Sequence, residues 1–158
     1  MHCITLLLPY ILILHLVQGG DLSLADYDGR TPLHLAACTK NVDVVQYLLE
    51  NGCSIHARDL FGNSPFFESI RSNAAALDDK ETLEAFHAAG EDMNAIDYCG
   101  HTPLHVAVTK HSKGCIEFLL QAGADSNLKD ACNKTALDIA KEQGLENVVH
   151  LLQGVTLG

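Results

Sequence analysis

The stretch Asp26-Tyr27-Asp28-Gly29-Arg30-Thr31-Pro32-Leu33-His34 comes back three times along the chain. It returns as Asp59-Leu60-Phe61-Gly62-Asn63-Ser64-Pro65-Phe66-Phe67, then as Asp97-Tyr98-Cys99-Gly100-His101-Thr102-Pro103-Leu104-His105. The last copy is Asp130-Ala131-Cys132-Asn133-Lys134-Thr135-Ala136-Leu137-Asp138. Gly29 to Gly62 and Gly100 to Asn133 are both 33 residues, whereas Gly62 to Gly100 is 38, so the second unit carries a five-residue insertion. Each Asp-x-x-Gly reads as a turn, because glycine takes positive φ without steric cost. Thr31, Ser64, Thr102 and Thr135 can cap a helix with their hydroxyls. Pro32, Pro65 and Pro103 then fall at the first helical position, where a missing N–H costs nothing.

Working outward, a short first helix follows each cap, and its small residues allow close helix approach. After a turn comes a second helix with an apolar stripe: Val44, Val45, Leu48 and Leu49 in the first unit. Cys115, Ile116, Leu119 and Leu120 repeat the stripe in the third unit, and Val148, Val149 and Leu152 in the fourth. Gly52, Gly90 and Gly123 follow these helices, where a left-handed cap is expected.

The period together with Thr-Pro-Leu-His resembles the ankyrin repeat over about residues 26 to 153. The resemblance implies an all-α solenoid of helix-turn-helix units with short β-hairpin loops, each unit contacting only its neighbours. Four repeats are expected at 26–58, 59–96, 97–129 and 130–153. The resemblance also gives His34 and His105 a structural role, bonding within and between repeats. Lys40 and His111 stand where the family has glycine between the helices, and only Gly144 keeps it. A left-handed non-glycine residue there costs roughly 1 kcal/mol. Phe67 and Asp138 replace the motif histidine in units two and four, and Gln153 gives the terminal repeat a more polar outer side.

The insertion lies around Arg71 to Lys80. Asp78 with Glu81 reads as a capping box, which starts the second helix near Asp79. Ser72 to Leu77 is then an enlarged loop or an extra turn of the first helix. As a long loop it is a contact site, or equally a tolerated surface insertion.

Residues 1–25 admit two readings. Ile4 to Val17 is a 14-residue apolar run, short for a membrane span. Val17-Gln18-Gly19 resembles a signal-peptidase site. Yet no Lys or Arg precedes the run, and cleavage after Gly19 would leave five cysteines, an odd number for a secreted protein. Alternatively, Gly19-Gly20-Asp21 before Asp26 matches Gly123-Ala124-Asp125 before Asp130. Leu12, Leu14 and Leu16 then fall where Ile116, Phe118 and Leu120 lie. A partial N-terminal repeat is therefore the favoured expectation. Asn133-Lys134-Thr135 is a glycosylation sequon that matters only in a secreted chain.

Composition narrows function. Twenty acidic residues against ten basic ones give a formal charge of −10. Sequence-independent nucleic-acid binding needs the opposite sign. The balance leans toward a protein partner with a basic surface, or serves only to keep the chain soluble. Cys3, Cys38, Cys53, Cys99, Cys115 and Cys132 form no Cys-x-x-Cys and no Cys/His grouping with zinc-finger spacing. Reduced thiols in the cytoplasm are the expectation, without metal or cofactor. Stacked helices lie roughly 8–10 Å apart, and a disulfide needs Cα atoms within about 7 Å. Cys99 and Cys132, at equivalent positions, are therefore expected to stay unbonded. No phosphate-binding glycine loop, Gly-x-Ser-x-Gly or His-Glu-x-x-His occurs, so no catalysis and no small-molecule substrate are expected.

Residues Gly20 to His34, followed by Arg58 to Asn63, are also similar to the ankyrin tail of animal cytosolic asparaginases, also called 60 kDa lysophospholipases. That family's catalytic segments, Thr-Gly-Gly-Thr and His-Gly-Thr-Asp, are not in this chain. The resemblance implies an accessory region of an amidohydrolase, as the alternative to a protein-interaction scaffold.

In a stacked solenoid, turn tips and first helices line one concave face. The tips bring Tyr27, Asp28 and Arg30 beside Phe61 and Asn63, then beside Tyr98, Cys99 and His101. These eight are the expected partner-binding residues, since aromatic side chains concentrate binding energy. The alternative is that the rings pack on one another along the row.

Overall fold

A computed structural model describes residues 19–39, 41–72 and 80–156. Among them are eight helices: α1 Pro32–Thr39, α2 Val42–Glu50, α3 Pro65–Ser72, α4 Lys80–Ala88, α5 Pro103–Thr109, α6 Lys113–Gln121, α7 Ala136–Glu142 and α8 Glu146–Thr156. One isolated antiparallel bridge, Lys129 to Thr135, is the β-structure among the described residues. The fold is an all-α repeat.

The helices run from 7 to 11 residues, too short to persist alone in water. Their stability comes from stacking. Each first helix packs on the next, α1 on α3, α3 on α5 and α5 on α7, and the second helices α2, α4, α6 and α8 form a parallel row. Ala36, Ala37, Ala107 and Ala140 are buried between the first helices and let them approach closely. Leu33, Leu48, Phe66, Phe86, Leu104, Ile116, Leu119 and Leu152 fill the rest of the core, each contributing roughly 2 kcal/mol by leaving water.

Local signals set the helix starts. Thr102 Oγ1 accepts from the His105 N–H at 3.4 Å, and Thr135 Oγ1 accepts from the Asp138 N–H at 3.2 Å. Asp138 completes a capping box without histidine, its Oδ2 accepting from the Thr135 N–H at 3.0 Å. His111 holds φ 57° between α5 and α6, the left-handed conformation that Gly144 holds at 66° between α7 and α8. The Lys40 turn, the reading of Asp78 and Asp79 as a helix start, and the apolar run from Ile4 to Val17 lie outside the described residues. Among those described, no helix is long and apolar enough to cross a membrane.

Candidate interaction face

Each turn tip is built around one carboxylate. Oδ1 of Asp26 accepts from the N–H groups of Asp28 and Arg30, and Asp59 does the same for Phe61 and Asn63. Asp97 does so for Cys99 and His101, and Asp130 for Cys132 and Lys134. Two backbone donors that a tight turn would leave unpaired are thereby satisfied. Burial by itself would raise the Asp59 carboxyl, but the bonds from Asn63 and Phe61 outweigh it and hold the group below the usual carboxylate range.

Successive tips touch. The Leu60 N–H donates to the Asp28 carbonyl at 2.9 Å, and the Ala131 N–H to the Cys99 carbonyl at 3.2 Å. Gly62, at φ 79°, lies under the ring of Tyr98, and a Cβ there would stand 2.5 Å from Tyr98 Cγ and Cδ1. The tips therefore form a continuous row. Along it Tyr27, Phe61 and Tyr98 are 103%, 61% and 74% exposed. Asp28 is exposed and pairs with Arg30 at 3.1 Å. Cys99 is an exposed free thiol, and Cys132 is another. His101 is part-exposed and sits between two carboxylates, Asp97 at 3.2 Å and Asp130 at 3.8 Å.

Asn63 departs from the sequence reading, which placed it among the partner-facing residues. It is fully buried. Its amide donates to both Asp59 oxygens at 3.2 and 3.1 Å, and its carbonyl faces His34 Nε2 at 3.0 Å. The fifth residue of a tip turns back toward the body, so a short side chain there is drawn inward. Asn63 is removed from the candidate face.

His34 and His105 join neighbouring units. Nδ1 of each accepts from the Thr31 or Thr102 N–H at 3.1 Å. Nε2 of each meets a carbonyl of the next tip, Asn63 or Lys134, at 3.0 Å. A carbonyl can only accept, so Nε2 carries the proton, and both rings are held neutral in one tautomer. Burial pushes both imidazoles below their ordinary value.

Unit two lacks this histidine, and a different group meets its cap. Ser64 Oγ donates to Glu91 Oε1 at 3.4 Å. Glu91 is buried, and its Oε2 lies 3.8 Å from the His56 imidazole. Burial pushes its carboxyl above the ordinary glutamate value. Cys53 and Ala124 hold the corresponding buried positions after Gly52 and Gly123, so the sequence pattern marked a core site and no carboxylate role. A carboxyl raised on folding stabilises the fold below the unfolded value near 4.5, and that contribution is lost as pH rises through the folded value. Glu91→Gln should therefore raise stability at pH 7 by about 1 kcal/mol, with no gain at pH 4. Urea unfolding at the two pH values checks this, and an equal effect at both would show that charge is not the cause.

Cys38 is no nucleophile. Burial, then the neighbouring Glu68 carboxylate, push its thiol up to about 12, far from the thiolate a reactive cysteine needs.

Paired helices stacked in two rows and joined by a line of turn tips define a solenoid class of protein. The model for three ankyrin repeats matches residues 71–156, and that for a single ankyrin repeat matches residues 28–60. The chain belongs to the ankyrin-repeat family. It is 37% identical over 131 residues to an L-asparaginase of Dirofilaria immitis, covering 65% of this chain and 22% of that protein. It is 33% identical over 108 residues to NF-kappa-B inhibitor alpha of Sus scrofa, covering 64% of this chain and 33% of that protein. Identity to the potassium channel AKT2/3 of Arabidopsis thaliana is 30% over 122 residues, covering 61% and 15%. The chain thus spans at most a third of the length of these relatives.

Proposed function

We propose that this chain is a non-catalytic module that binds another protein through its tip row and the concave face beside it. The observation that carries the reading is the exposure of Tyr27, Phe61 and Tyr98 on neighbouring tips. Other large aromatics, Phe66, Phe67 and Phe86, are fully buried. An exposed ring on a rigid turn offers large contact area at low entropic cost. Arg30, Asp28, Cys99 and His101 supply polar contacts at the edge. The formal charge of −10 favours a partner with a basic surface, since complementary charge speeds encounter and excludes like-charged competitors. The relative named as an inhibitor of NF-kappa-B acts through a protein target, which fits the same use. The free thiols at Cys38, Cys53, Cys99 and Cys132 favour a reducing, cytoplasmic setting.

The test is affinity capture with mass spectrometry, followed by substitution of Tyr27, Phe61 and Tyr98 by Ala. Affinity should fall by roughly 1–2 kcal/mol per anchor. The melting midpoint should hardly move for Tyr27→Ala and Phe61→Ala. Tyr98→Ala will lower it slightly, because that ring also covers Gly62. Binding that survives the triple variant would move recognition away from the tips, and the segment 71–80 would be tested next.

The identity to an L-asparaginase favours one second reading, an accessory region of an amidohydrolase. Its discriminator is the coding sequence upstream of Met1. An in-frame catalytic segment there supports the accessory role, and a stop codon with no such segment supports the free-standing module.

A further inference from the structure

We propose that the third turn tip is a zinc site, with Asp97, Cys99 and His101 as its protein ligands. One donor atom from each lies within 4.8 Å of the other two. The tip's architecture prepares them. Oδ1 of Asp97 is used by two backbone N–H groups at 2.8 Å each, which fixes the carboxylate. Its other oxygen, Oδ2, faces His101 Nδ1 at 3.2 Å. Two ligands of one tetrahedral zinc ion stand roughly that far apart, given metal–ligand distances of about 2.0–2.2 Å. The third donor, the Cys99 thiol, is exposed, forms no disulfide and lies within 4.8 Å of the other two donor atoms.

A second feature supports the imidazole as a ligand. Zinc-bound histidine is usually oriented by a carboxylate at its other ring nitrogen. His101 Nε2 faces Asp130 Oδ2 of the next tip at 3.8 Å. With Nδ1 on the metal, Nε2 keeps its proton and points it at that carboxylate.

Comparison of the four tips shows why only one qualifies. All four place an aspartate at the first position, because the turn needs it. The third and fifth positions are Asp28 and Arg30, Phe61 and Asn63, Cys99 and His101, and Cys132 and Lys134. Only the third tip puts a thiol and an imidazole beside the carboxylate. The set of one sulfur, one nitrogen and one oxygen suits a borderline ion such as Zn²⁺ and disfavours Mg²⁺ or Ca²⁺. Three protein ligands leave one position for water or for a partner's side chain. On binding, the Cys99 thiol gives its proton to solvent and its sulfur forms the bond to zinc. The Asp-x-Cys-x-His spacing matches no zinc-finger pattern, so the sequence carried no signal for it.

The test uses the full chain, reduced and stripped with a chelator, then titrated with Co²⁺. A thiolate-to-cobalt charge-transfer band should appear in the near ultraviolet, saturate at one cobalt per chain and disappear when Zn²⁺ is added. Cys99→Ser should abolish the band, and His101→Ala should weaken metal binding at least tenfold. Cys132→Ser, on the neighbouring tip, should leave both unchanged. Circular dichroism should show the native helix content in all three, since their side chains reach the surface. No band in the parent protein, a band that persists in Cys99→Ser, or one lost in Cys132→Ser would each overturn the site.

Discussion

As pH falls below 6.5 the fold should lose stability, and the loss should shrink when His34 and His105 are both changed to Gln. Each imidazole is buried with Nε2–H committed to a carbonyl and Nδ1 committed as an acceptor. A proton on Nδ1 would set two donors against each other. The folded-state values accordingly lie below the ordinary 6.5. Below pH 6.5 the unfolded chain binds more protons than the folded one, so stability falls as pH drops from 6.5 to the folded value. The slope approaches about 1.4 kcal/mol per pH unit for each histidine. Above pH 6.5 these groups add no pH dependence. The Gln side chain keeps a donor near Nε2 but does not titrate, so the double variant should be flatter and somewhat less stable at pH 7.5. Truncation is more severe. His105→Ala leaves the Lys134 carbonyl and the Thr102 N–H without their side-chain partner and opens a cavity, at a cost of about 3 kcal/mol. Urea titrations at half-unit pH steps would read both effects. An unchanged slope in the double Gln variant would assign the acid sensitivity to groups other than these two imidazoles.

Gly62→Ala should cost roughly 3 kcal/mol, whereas Gly52→Ala should cost about 1 kcal/mol. The two positions have similar backbones, φ 79° and 83°. An alanine suffers the same left-handed strain at each. The difference is the neighbour. A Cβ on Gly52 meets nothing within 4 Å, but on Gly62 it meets the Tyr98 ring at 2.5 Å and the Tyr98 backbone nitrogen at 2.8 Å. The ring can turn away and the backbone cannot, so the two tips would have to separate. Tyr98→Ala in the Gly62→Ala background should therefore recover only part of the loss. Denaturant midpoints of the four proteins close the cycle. Equal costs at Gly62 and Gly52 would mean that the tips are not in tight contact, and the case for a rigid row of aromatic residues would fall with it.

The local features of this fold were legible because each depends on residues a few positions apart. Thr102, Pro103 and His105 announce a capped helix by themselves, and the stripe of Val44, Val45 and Leu48 announces its buried side. Repetition of that grammar at 33-residue spacing then gives a stack, because no single pair of such short helices can bury its apolar side alone. The exposed positions of Tyr27, Phe61 and Tyr98 follow from the same register.

What lies at the joints between units depends on both neighbours, and only the tertiary structure decided it. Asn63 reads as a tip residue beside Phe61, yet the returning chain turns it inward onto Asp59 and under His34. Glu91 reads as one more position after a helix-ending glycine, yet the loss of histidine at Phe67 leaves the Ser64 hydroxyl to meet its carboxylate in the core. Asp97, Cys99 and His101 share one tip, but Asp130, which faces His101 Nε2 at 3.8 Å, comes from the next unit, and only the stack brings it there. A repeat sequence determines its unit, since caps, turns and apolar stripes act over a single helical turn. The surfaces where units meet are set by pairs of side chains some 30 residues apart, and burial there is a property of the stack.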